Sequence, residues 1–194
     1  DPDHRLRPLY AISHSTALDE IEVPGLAGYR GMGPVRRGNA AWVQVQNDSY
    51  GSVILAAAQL FFDRRLPRPG DKMLFHRLER LGEHAKAAAF EPDASLWEYR
   101  GRTRIHTFSS AMCWTACDRL GKIASHLGET ERARYWKQAA KEIRGVILQR
   151  AWDPNENSMV DAFDGGHIDA SLLLLHDIGF LAADDPRFIG TVAA

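Results

Sequence analysis

Cysteine is nearly absent from this chain, long apolar runs are missing and net charge almost vanishes, and each lack excludes something. Cys113 and Cys117 are the two cysteines in 194 residues, too few for the disulfide framework of a small secreted domain. Set four apart in a helical pattern, they could supply two of the four ligands of a structural zinc. No histidine cluster stands at ligand spacing nearby, so they read as small buried residues in a reducing compartment. No apolar run approaches the ~18 residues of a membrane span. A formal charge of −1 offers no basic field to a phosphate backbone. Neither membrane nor nucleic acid is an expected partner. No positively charged start leads into an apolar stretch, which leaves a cytoplasmic location as the default expectation. The glycine-rich piece 25–38 lacks the G-x-x-x-x-G-K-[ST] order of a phosphate cradle.

Helical periodicity is what the chain does have, and no strand signal compares with it. Residues 1–45 read as loop, punctuated by Pro2, Pro8, Pro24, Gly25, Gly28, Gly31, Gly33, Pro34 and Gly38. Apolar spacing of three and four then predicts helices over about 48–64, 71–90, 107–127 and 130–152. Their apolar faces carry Tyr50, Ile54, Ala57 and Phe61; Leu74, Leu78, Leu81, Ala85 and Ala88; Phe108, Met112, Ala116, Leu120, Ile123 and Leu127; and Trp136, Ala140, Ile143 and Ile147. A fifth helix starts at Asp169, a good N-cap. Leu172 to Leu175 would cover all its sides, which predicts burial all round. A sixth begins near Pro186, with proline in the first turn.

Loop lengths alternate short and long, the mark of consecutive helical hairpins. Helices after long loops start near 48, 107 and 169, roughly sixty residues apart. In antiparallel hairpins these starts share one end, so the long loops gather on one rim, where function should be sought.

Those loops hold an unusual set of side chains. The first, "GYRGMGPVRRGNAAWVQVQND", contains Arg36, Arg37, Asn39, Trp42, Gln44, Gln46 and Asp48. The second contains Trp97, Glu98, Tyr99, Arg100 and His106, and the third Asp161, Asp164, His167 and Asp169. Aromatic rings beside amides, carboxylates and arginines suit a carbohydrate: rings stack on the apolar sugar face while polar groups bond hydroxyls. Glu98, between two aromatics, suits a general acid, since partial burial against Trp97 disfavours the charged form. Arg100 would oppose that shift if it touched Glu98. The plainer alternative is a loop ion pair between Glu98 and Arg100, with Trp97 plugging the hairpin base. Asp48 and Asp169 read more simply as helix N-caps, Trp42 as a loop anchor, and His106 and His167 as hydrogen-bonding residues. Trp136 and Trp152 read as core.

Three stretches together, "GYRGMGPVRRGNAAWVQVQNDSYG", "SLWEYRG" with "HTFSSAMCWTACDRLGKIA", and "DASLLLLHDIGFLAADDPRFIGTV", resemble the bacterial glucoamylase-like enzymes of glycoside hydrolase family 15. That family also includes glucodextranases and some bacterial trehalases. The resemblance implies an all-α (α/α)6 toroid with its site at the N-terminal ends of the inner helices. It further implies an inverting mechanism with Glu98 as general acid. By the same resemblance Trp97 is a pocket wall, Arg100 a hydroxyl or carboxylate contact, and Trp42, Gln46 and Asp48 stacking and polar residues near the cleaved bond. No metal or cofactor is implied, because water attack assisted by paired carboxylates needs none.

The family's general base lies beyond the matching positions, and no residue here fits its motif. Asp164 or Asp169 could replace it only by coincidence. Five to six helices are about half of a toroid, so residues 1–194 are expected to be part of a catalytic domain cut at both ends. Such a piece is expected to be inactive and aggregation-prone alone. The expected substrate is an α-glucoside oligosaccharide or disaccharide, cleaved with release of glucose. A trehalase of the same family is the alternative, and a non-catalytic helical-hairpin scaffold binding a partner protein is a second.

Overall fold

Apolar residues three and four apart set the main helices within two residues of the predicted spans. The computed structural model describes residues 5–14, 18–163 and 165–194. It contains α1 (Asp48–Phe62), α2 (Lys72–Ala88), α3 (Thr107–His126) and α4 (Thr130–Arg150). Asp71 caps α2 by accepting from the Leu74 amide at 2.8 Å. At the end of α3, Gly128 takes a φ of 77°. Around it the Glu129 amide reaches Ala124 O at 2.8 Å and the Gly128 amide reaches Ser125 O at 3.3 Å. This double bond pattern satisfies the last carbonyls and turns the chain straight into α4.

The helices form antiparallel hairpins, part of an α/α toroid. α3 packs against α1, α2 and α4. α1 and α3 run side by side as inner helices, so close at Gly51 that a Cβ there would lie 2.1 Å from Met112 O. α2 and α4 lie outside them. These two are joined by Glu79, which accepts from Trp136 Nε1 at 2.7 Å and from Arg132 Nε at 2.6 Å and meets His76 Nδ1 at 2.9 Å. Cys113, Cys117 and Trp136 are completely buried, and Trp152 is half-buried against the same core.

The helix enclosed on every side is α3, not the leucine run. Every residue from Thr107 to Cys117 is buried, because the small Ser109, Ser110, Ala111, Cys113 and Ala116 admit neighbours all round. The leucine run instead opens as a 3-10 turn (Ala170–Leu173), with only a short α5 (Leu174–Asp177) behind it. Leu172 and Leu175 are buried, but Leu173 and Leu174 are 48% and 37% exposed. Four leucines cover the circumference, yet elements pack against only part of it. α6 (Pro186–Ala193) starts as predicted, with Asp185 accepting from the Arg187 amide.

Residues 1–45 are not all loop. β1 (Ile21–Glu22) pairs antiparallel with β2 (Arg36–Arg37), and a 3-10 turn spans Ala40–Val43. Later, β3 (Trp152–Asp153) pairs with β4 (Ser158–Met159). Two-residue ladders are too short to leave an alternating pattern in sequence.

The long loops do converge on one rim. The Ala94 amide donates to Val45 O, and the Thr107 amide to Asp161 O, both at 2.9 Å. His106 and Ala162 form an antiparallel bridge. The segments before α1, before α3 and before α5 are therefore tied together at the N-terminal ends of the inner helices.

Candidate active site

Pro92-Asp93 begins the second long loop, and Asp93 is its fastening. Its side chain is wholly buried. One carboxylate oxygen accepts from the Asn47 amide at 2.8 Å and from Ser109 Oγ at 2.7 Å, and the other from the Ser95 amide at 3.2 Å. A single side chain thus joins the start of α1, the start of α3 and the loop between α2 and α3. Burial pushes its pKa up, and these hydrogen bonds oppose the rise.

The loop then turns sharply. Ser95, Glu98 and Gly101 all adopt positive φ, 65°, 55° and 68°. Left-handed backbone at a non-glycine residue costs about 1–2 kcal/mol, so Glu98 needs its surroundings to hold it. The Glu98 amide donates to Ser95 O at 3.1 Å, and Gln44 Nε2 donates to Glu98 O at 3.2 Å and Tyr99 O at 3.5 Å. Gln46 supports Gln44 through a 3.2 Å bond to its side-chain oxygen. Tyr99 stacks on the buried His106 with centroids 5.8 Å apart, and the Arg102 guanidinium lies 4.0 Å from the Tyr99 ring centre.

Trp97 is tethered rather than plugged into the hairpin base. Its indole Nε1 donates to Asp169 Oδ2 at 2.8 Å, while Asp169 Oδ1 caps the Ser171 amide at 2.7 Å. Trp97 remains 48% exposed, with ring surface open to a ligand. Glu98 is exposed beside it, so the partial burial expected from Trp97 is not supplied. Among the described residues no hydrogen bond reaches its carboxylate. The alternative, a Glu98–Arg100 ion pair, is also absent among the described residues: both terminal nitrogens of Arg100 sit on Glu20, at 3.0 and 2.9 Å.

Asp48 is not a cap either. It is the first residue of α1, and Asn47 occupies the cap position with its side-chain Nδ2 donating to Glu91 O at 3.0 Å. The Asp48 carboxyl is largely buried, with Oδ1 unpartnered among the described residues. Burial first, and the Asp93 carboxylate second, push its pKa up to about 6. His106 Nε2, Thr107 Oγ1 and Asp161 Oδ1 are likewise buried without partners among the described residues. Burial lowers the His106 pKa against the pull of Asp93 and Asp161. Trp42 lies half-buried on the Ala40–Val43 turn, the Arg7 guanidinium 6.0 Å from its ring centre. His167 is exposed and Asp164 lies outside the described residues. Among the described residues no group of three or more His, Cys, Asp or Glu could hold a metal ion. Among the same residues no helix is long and apolar enough to cross a membrane.

Two organising carboxylates escaped the sequence reading. Asp93 leaves a faint local trace, since an aspartate after proline that bonds the amide two residues on is a turn former. Glu20 leaves none, because its main partner is eighty positions away.

The sequence model of glycosyl hydrolases family 15 matches residues 2–194. The chain belongs to that family. It is similar to a trehalase of Mycobacterium tuberculosis, 38% identical over 98% of this chain and 28% of that protein. A Thermoplasma volcanium trehalase is 33% identical over 98% of this chain and 30% of its own length. Trehalase 2 of Sulfolobus acidocaldarius is 31% identical over 95% and 32%. The chain therefore spans about a third or less of these family 15 relatives. A solved glycosidase variant in complex with glucose shares the fold, with a TM-score of 0.63 over 84% of this chain and 44% of that one, at 22% identity.

Proposed function

We propose that the complete protein hydrolyses an α-glucosidic bond with inversion, that trehalose is its substrate, and that Glu98 is the general acid. The neutral Glu98 carboxyl gives its proton to the bridging oxygen as the C1–O bond breaks. Water attacks C1 from the opposite face and yields its proton to a second carboxylate, roughly 6.5–9.5 Å from the first in inverting enzymes. No residue of these 194 is assigned that base. We take the chain as one portion of the catalytic toroid, with the base on a portion outside it.

One observation carries the reading. Glu98 stands at the rim where the three long loops meet, on a turn held in left-handed geometry by Gln44, beside an indole aimed by Asp169. Trp97 and Trp42 supply rings for a sugar face, and Gln46 and Asp48 polar groups for hydroxyls. By motif resemblance a glucoamylase-like activity comes first and trehalase second; relatives named trehalase, at 31–38% identity, favour the second. Family membership counts against a non-catalytic scaffold.

The test is Glu98→Gln in the complete protein, which keeps shape and removes the proton. Turnover of trehalose should fall on the order of 10²–10⁴-fold. Hydrolysis of α-glucosyl fluoride, whose leaving group needs no proton, should fall far less. Unchanged trehalose turnover would remove Glu98 from the mechanism.

A further inference from the structure

Glu20 lies one residue before β1, far from Glu98 in sequence, with a side chain only 13% exposed. Each of its oxygens receives two donors. Oε1 faces Arg100 Nη1 at 3.0 Å and Arg36 Nε at 3.3 Å; Oε2 accepts from Arg100 Nη2 at 2.9 Å and from the Ala40 amide at 3.0 Å. The forked Arg100 pair fixes orientation as well as distance. Arg100 follows Glu98 by two residues. Ala40 begins the 3-10 turn whose next residue, Gln44, holds the Glu98 and Tyr99 carbonyls. The contacts form a closed ring: Glu20 to Arg100, back through Tyr99 and Glu98, across to Gln44, and through the turn to Ala40 and Glu20.

The base of Glu20 is itself fixed. The Asn39 amide donates to Leu18 O at 3.0 Å, and a Cβ at Gly38 would lie 2.0 Å from Asp19 O. The Arg100 guanidinium and the Ala40 amide hold the Glu20 carboxyl down at about 2, so the ring stays charged over any ordinary working pH.

We propose that Glu20 is a positioning residue for the general acid, acting through Arg100 and the Ala40–Val43 turn to hold the strained turn that presents Glu98. This rests on the general-acid reading of Glu98. An exposed ion pair alone would matter little, but this one closes a ring around a residue in left-handed geometry, and displacement of a catalytic group by ~1 Å can cost 10²-fold in rate.

The experiment uses the complete protein with Glu20→Gln, Arg100→Gln and the double variant, each assayed on trehalose and on α-glucosyl fluoride. Either single change should lower kcat on trehalose about 10- to 100-fold, with KM nearly unchanged and fluoride hydrolysis largely spared. The double variant should lose no more than the worse single one, because both side chains act within one ring of contacts. Equal losses on both substrates would mark a general structural defect and overturn the proposal, as would unchanged kcat in both single variants. Arg100→Gln keeps the test open should Glu20→Gln fail to fold. Glu98→Gln, run alongside, separates the two failures: if it retains trehalose turnover, the general-acid reading falls first.

Discussion

Asp48 opens α1 with a buried oxygen that no described residue satisfies, and burial, with the Asp93 carboxylate behind it, weakens its acidity. Its pKa of about 6 stands above an ordinary 3.8, so the folded chain holds this proton more tightly than the unfolded one. The stabilisation is fully present below about 4 and is lost as pH rises through about 6. Asp48→Asn should leave stability nearly unchanged at pH 4 and raise it by roughly 2–3 kcal/mol at pH 7.5, read from denaturant unfolding at the two values. Equal effects at both would contradict the account. Because Asp48 is also proposed to meet the sugar, the same variant should turn over more slowly, a familiar exchange of stability for function. At this scale the sequence was partly legible. Trp97 and Glu98 stand out because two adjacent residues carry the signal. Glu20, Asp93 and the fate of Arg100 do not, since each depends on partners from distant segments, and the exposure of Glu98 depends on what surrounds the loop.

Helix placement followed apolar period closely, and crossings followed from small residues that period does not reveal. At Gly51 a methyl group would meet the Met112 carbonyl oxygen, carbon and Cβ at 2.1, 2.6 and 2.9 Å. Two of these are backbone atoms, which cannot rotate aside. Gly51→Ala should therefore destabilise by about 1–3 kcal/mol or more through overpacking. Gly145→Ala on the exposed side of α4, where nothing lies within 4 Å, should stabilise by up to about 1 kcal/mol through helix propensity. Thermal unfolding of both variants checks the contrast, and a neutral Gly51→Ala would deny the close approach of α1 and α3. The leucine run shows where pattern reading stops. It reported how much of a helix is apolar, whereas burial depends on what packs against it; α3, full of serine, alanine and cysteine, is the enclosed helix.

At the scale of the molecule, loop length was the most informative feature. Alternation of short and long connections predicted one functional rim, and backbone bonds from Ala94 to Val45 and from Thr107 to Asp161 draw the long loops together there. Leu173, Leu174, Ile189 and Val192 leave apolar surface exposed on the leucine run and α6. The chemistry proposed for the rim has a stereochemical signature. Inverting cleavage of α,α-trehalose gives β-glucose from the attacked ring and α-glucose from the leaving one. The decisive measurement is proton NMR of the complete protein incubated with trehalose and maltotriose together, read before mutarotation. Inversion on trehalose predicts that trehalose disappears first and that α- and β-glucose rise at equal initial rates. Release of α-glucose alone, or loss of maltotriose with trehalose untouched, would contradict it.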